Sequence, residues 1–105
     1  MLDRITIQNL KTLNTCGGVA WSATVLLDGQ PKARIENRGD GGCSSFYPVD
    51  GDYKAMRTFV SEATAAAHAA LGRKSYEAFE NLLSATSEGM TVAQAVTVWQ
   101  AALAA

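Results

Sequence analysis

Two alternating runs joined by Asp28-Gly29 constrain this chain more than any other feature. Before the dipeptide, Trp21, Ala23 and Val25 alternate with Ser22 and Thr24. After it, Ala33 and Ile35 alternate with Lys32, Arg34 and Glu36. A period of two means strands with one buried and one open face. Residues 19–43 therefore read as a β-hairpin that runs into a glycine-rich loop.

The pairs that each register creates decide between turns. A two-residue Asp28-Gly29 turn pairs Leu27 with Gln30 and sets Trp21 opposite Glu36 and Val25 opposite Lys32. That mixes apolar and charged side chains on one face. A three-residue loop, Leu27-Asp28-Gly29, pairs Leu26 with Gln30 and closes with Gly29 in the left-handed region. Trp21 then meets Ile35, Ala23 meets Ala33 and Val25 meets Pro31. One residue of slip turns a strand over, so the three-residue loop is expected. Ser22, Thr24, Lys32, Arg34 and Glu36 then share the water-facing side. Pro31 cannot donate to a ladder, which places the second strand at a sheet edge or starts it beyond the proline.

Upstream, Ile5-Thr6-Ile7 opens a strand over about residues 3–13, and the three-residue step from Leu10 to Leu13 implies a bulge near Gln8-Asn9. Residues 14–18 read as a loop, and residues 37–45 as a second one. Phe46-Tyr47-Pro48 is a short extended piece, because Pro48 holds Tyr47 out of the helical region. Three helices follow. The first spans about residues 51–71, capped by Asp50 or Asp52 and stopped by Gly72. Met56, Phe59, Val60, Ala63, Ala67, Ala70 and Leu71 form its apolar stripe. The second spans about residues 75–87, with Ser75 as cap, Tyr76, Phe79, Leu82, Leu83 and Thr86 inward, and Gly89 at its end. The third opens on a Thr91–Gln94 capping box and turns Val92, Ala95, Val96, Trp99, Ala102 and Leu103 inward. The expected fold is one α+β domain over residues 1–105. A three-stranded antiparallel β-sheet, from residues 3–48, carries the helices of residues 51–105 on its apolar face.

Composition narrows the function classes. The formal net charge of −1 argues against a generic nucleic-acid coat, which needs a basic surplus. Asp3 and Arg4 interrupt the start and no apolar signal core follows, so the chain is expected in the cytoplasm. Cys16, Cys43 and the lone His68 cannot complete a zinc site without carboxylates, and no metal or cofactor is expected. The two thiols are expected reduced, at the same end of the hairpin. His68 reads as a solvated helix residue. Helix capping explains Asp50 and Asp52 without a calcium loop. Trp21 and Trp99 fall on inner faces and read as core.

Two surface candidates remain. Gly39, Gly41 and Gly42 can present successive amides to an anion, although the loop lacks the lysine and following helix of a P-loop. Lys32, Arg34 and Arg38, with Asp40 and Tyr47 from the adjoining loop, form a candidate partner-binding surface.

The succession Ala23-Thr24-Val25, Asp28-Gly29, Lys32-Ala-Arg-Ile35, Asn37-Arg-Gly-Asp-Gly-Gly42 and Tyr47 resembles a group of small, mostly uncharacterised proteins of phages and prophages. The resemblance covers about residues 5–48, and Arg38 stands where the pattern carries an acidic residue. It implies a mobile-element origin. Anti-CRISPR proteins are similar in size, in α+β build and in lacking a catalytic motif. The expectation is therefore a non-enzymatic inhibitor that occludes a host bacterial defence complex. The alternatives are a nucleotide or signal-molecule sponge built on the glycine loop, and a small nucleic-acid-binding regulator. An alanine-rich helix face and the apolar last helix offer a route to a homodimer.

Overall fold

A computed structural model of the chain describes residues 1–39, 44–72 and 78–104, the last three by their backbone. A single 3-10 turn, Leu2–Arg4, leads into β1 (Ile5–Thr15), β2 (Gly18–Leu27), β3 (Gln30–Asn37) and β4 (Ser45–Tyr47). The helices α1 (Tyr53–Leu71), α2 (Ala78–Ser84) and α3 (Val92–Ala104) follow. The strands lie in sequence order in one antiparallel sheet. The α+β class, the antiparallel sheet and the three helices are as expected, with four strands instead of three. The extra strand is the Phe46 piece, which pairs with residues 34–36 of β3. It satisfies amide and carbonyl groups that an unpaired β3 would leave open.

The hairpin corrects the expected register. Leu27 pairs with Gln30, so the turn has two residues, and both Asp28 (φ 52°) and Gly29 (φ 78°) take the left-handed region. Such turns match the twist of the flanking strands better than a three-residue loop does. The mixed faces that this turn would impose are avoided by a bulge. Leu26 meets Pro31 and Val25 meets Ala33, which leaves Lys32 without a partner. Beyond it Ala23 meets Ile35 and Trp21 meets Asn37. Trp21, Ala23, Val25, Ala33 and Ile35 keep their expected inner face, with each pair displaced by two positions from the bulge onward, whereas Pro31, expected inward, is exposed and Leu26, expected on the other face, is buried. Pro31 is tolerated because β4 reaches only residues 34–36, so no ladder lies on its outer side.

The bulge of β1 falls between Gln8 and Lys11, with Asn9 at φ 56°. Asparagine tolerates this region better than most residues. The strand then continues to Thr15, and the turn to β2 is Cys16-Gly17 rather than a five-residue loop.

One face of the sheet forms the core. Ile5, Ile7, Ala23, Val25, Ala33 and Ile35 meet Met56, Phe59, Ala63, Phe79, Leu82 and Val92 from the helices. Phe79 stacks on Phe46 at 5.8 Å and meets Phe59 edge-on at 6.3 Å, which ties β4, α2 and α1 together. Asp52 caps α1 by accepting from the Ala55 N–H at 3.0 Å, and Gly72 closes it in the left-handed region. α2 ends at Ser84, three residues early, because the Thr86 hydroxyl donates to the Leu82 carbonyl at 2.7 Å and turns the chain. At α3 the Thr91 N–H donates to Gln94 Oε1 at 2.8 Å, and the Gln94 N–H to Thr91 Oγ1 at 3.2 Å. That is the expected capping box. Trp21 and Trp99 are half-buried against the core. Ser75 and Tyr76, and the side chains of Ala102 and Leu103, lie outside the described residues. No helix among the described residues is long and apolar enough to cross a membrane.

Candidate functional site

Covering one side of a sheet with helices leaves the other to water. The pairing aligns two rows across that outer face: Gln8–Thr24–Arg34–Tyr47 and Lys11–Ser22–Glu36–Ser45. Partners in an antiparallel ladder share a face, with Cβ atoms about 5 Å apart. The Arg34 guanidinium lies over the Tyr47 ring, 5.9 Å from its centroid. This contact limits the rotamers of both side chains and leaves the remaining guanidinium donors for a partner.

Two shallow hollows, of about 260 and 270 Å³, share Lys11, Ser22 and Glu36. The first extends to Leu13 and Arg38, the second to Thr24 and Arg34. Lys11, Arg34, Glu36 and Arg38 are all exposed. Ion pairs join the N-terminal amine to Asp3 and Arg4 to Asp28, and none joins Lys11, Arg34 or Arg38 to a described carboxylate. The three cations of the outer face are therefore unpaired and surround one carboxylate. On a chain of net charge −1 this is a local basic field facing one way.

The structure brings Arg34 and Tyr47 together and sets Arg38 at the rim. Lys32 is exposed but stands apart, on a separate hollow with Leu27, Pro31, Val49 and Asp50. Asp40, Gly41 and Gly42 lie outside the described residues, as does Cys43. Cys16 is an exposed free thiol. Gly39 is buried against β2 at φ 76°, and a Cβ there would fall 2.6 Å from the Ala20 nitrogen. Its N–H donates to Asn37 Oδ1 at 2.8 Å and its carbonyl accepts from Thr15 Oγ1 at 3.3 Å. One donor of the candidate anion loop is therefore already engaged within the chain.

Lys11 was not among the candidates named from the sequence. The β1 bulge inserts one residue and reverses the alternation, so Gln8 and Lys11, three apart, both face outward. The signal was present in the broken Leu10–Leu13 spacing and in Asn9. His68 is half-buried on α1 rather than fully solvated. No group of three or more His, Cys, Asp or Glu side chains that could hold a metal ion occurs among the described residues. Compared with protein-family models, with curated proteins and with solved structures, the chain matches none.

Proposed function

We propose that this chain is a non-enzymatic binding protein that inhibits a bacterial defence complex, in the manner of anti-CRISPR proteins, by laying its outer sheet face on an acidic surface of that complex. The observation that carries the reading is the open face on which Lys11, Arg34 and Arg38 stand unpaired, with Tyr47 held by Arg34. Arginine and tyrosine are enriched among the residues that carry most of the energy of protein interfaces. Glu36 in the middle of the face favours a protein over a phosphate backbone, since it repels phosphate and can pair with a partner's cation. The likeness to phage proteins supplies the class of partner, and with it the host cytoplasm as the place of action. The sequence adds Asp40 to the proposed contact residues.

Phage plating tests the reading. Expression of the chain in bacteria with active CRISPR immunity should raise the plating of a targeted phage well above that of the same cells carrying an empty vector. The double variant Arg34→Glu, Arg38→Glu should lose that rise while melting at the wild-type temperature. Unchanged plating against every immune type tested would overturn the partner class. A rise that survives the double variant would overturn the face.

A further inference from the structure

We infer that a second copy of this chain pairs along the open edge of β1, joining two sheets into one eight-stranded sheet about a two-fold axis. β1 is an outer strand of the sheet, and its two halves have different surroundings. The first half is covered: Thr6 bridges Thr91, and the Leu10 N–H donates to Glu88 Oε1 at 2.6 Å. This edge therefore already accepts backbone and side-chain partners from the chain's own 88–91 segment. From Lys11 to Thr15 the strand continues regularly for five residues, all exposed, with no such cover among the described residues. An edge of this kind offers a row of amides and carbonyls to another strand.

Two of the six large apolar side chains exposed among the described residues lie at this end of the β1–β2 hairpin: Leu13 (68% exposed) and Val19 (51% exposed). A two-fold axis through Leu13 is the one antiparallel self-pairing that uses all five open residues. It sets Leu13 against its own copy, Thr12 against Asn14 of the copy, and Lys11 against Thr15 of the copy. The one charge in the segment thus never meets itself, which a self-pairing centred on Lys11 would require. The two outer faces come to lie side by side. The inference stands on the edge alone and does not rest on the inhibitor reading. Five residue pairs make a small interface, so the dimer is a concentration-dependent one with a dissociation constant in the micromolar range, on the order of 1–100 μM.

Sedimentation equilibrium of the full chain tests this over a concentration series reaching about ten times that range. The expected result is a shift from 11.1 kDa toward twice that mass. Leu13→Lys places two like charges opposite each other and should weaken the dimer at least about tenfold. In a Cys16→Ser, Cys43→Ser background, Leu13→Cys should form a disulfide-linked dimer under mild oxidation, because directly paired residues bring their Cα atoms within the reach of a disulfide. Val19→Cys, on β2, should not. A monomer throughout the series, a dimer that Leu13→Lys leaves intact, or equal cross-linking at Leu13 and Val19 would each overturn the inference. If Leu13→Lys does not fold, the cysteine pair decides.

Discussion

Arg4 and Asp28 join the start of β1 to the tip of the β2–β3 turn. The guanidinium Nε donates to both carboxylate oxygens, at 2.9 and 3.1 Å, and the Asp28 N–H donates to the Arg4 carbonyl at 2.9 Å. The backbone bond pins the turn whatever the side chains do. The ion pair adds a pH-dependent part. The hydrogen bonds from Arg4 hold the Asp28 carboxyl below its ordinary value of 3.8. A carboxylate with a lowered folded value stabilises the protein above its unfolded value and loses that contribution as the pH falls through the folded one. Both groups are solvent-exposed, so the effect is small and salt-sensitive. Asp28→Asn isolates it, because asparagine tolerates the left-handed backbone that position 28 requires. Wild type should melt above Asp28→Asn at pH 6, and the gap should close as the pH drops below 3.8. Thermal melts over a pH series running down from pH 6 check this, and a gap that does not narrow anywhere as the pH falls would assign the difference to the turn rather than the pair.

At the scale of elements, one glycine fixes how the loop after β3 leaves the sheet. Gly39 and Gly29 have nearly the same φ, 76° and 78°. A Cβ at Gly29 meets nothing within 4 Å, whereas at Gly39 it meets the Ala20 nitrogen at 2.6 Å and the Val19 carbonyl carbon at 2.7 Å. Both alanine variants bear the left-handed cost of about 1–2 kcal/mol, and Gly39→Ala must also push backbone from backbone. Gly29→Ala should therefore cost about 1–2 kcal/mol and Gly39→Ala clearly more, as read from urea unfolding; equal costs would mean that the loop swings away freely. The close approach of Gly39 to β2 could not be read from the composition of its stretch. Strand pairing had the same limit. Alternation told that Ala23, Val25, Ala33 and Ile35 turn inward, because a face depends only on parity, but beside the bulge it failed for Leu26, which is buried, and Pro31, which is exposed. It could not tell partners, because the bulge at Lys32 restores parity after a turn that had been rejected for breaking it. A bulge adds one residue and leaves no compositional mark beyond a displaced period, as Leu10 and Leu13 show in β1. The helix caps were easier to read, since Asp52 and the Thr91–Gln94 box act within one turn of their own sequence.

At the scale of the whole molecule, the outer face exists only while the inner one is covered. The sheet contributes few large side chains to the core: Ala23 and Ala33 sit beside Ile5, Ile7, Val25 and Ile35. The bulk comes from the helices, and Phe79 is its centre, 1% exposed and in ring contact with Phe46 of β4 and Phe59 of α1. Arg34 and Tyr47 are next to Ile35 and Phe46 in their strands, so the residues that shape the candidate site have their backs on this cluster. The site was legible to the extent that Arg34 and Tyr47 could be named. Its extent across β1 was not, because Lys11 reaches the face only through tertiary pairing. A core shared in this way predicts one cooperative transition for sheet and helices together. Truncating Phe79 to alanine should cost about 3–5 kcal/mol, a large share of the 5–15 kcal/mol typical of a domain. Trp21 on β2 and Trp99 on α3 give one fluorophore in each layer. In the single-tryptophan backgrounds Trp21→Phe and Trp99→Phe, urea unfolding should show coincident midpoints, and Phe79→Ala should lower both equally. If the sheet reporter kept its midpoint while the helix reporter lost it, the sheet would stand without its cover, and the outer face would not depend on the packing of Phe79.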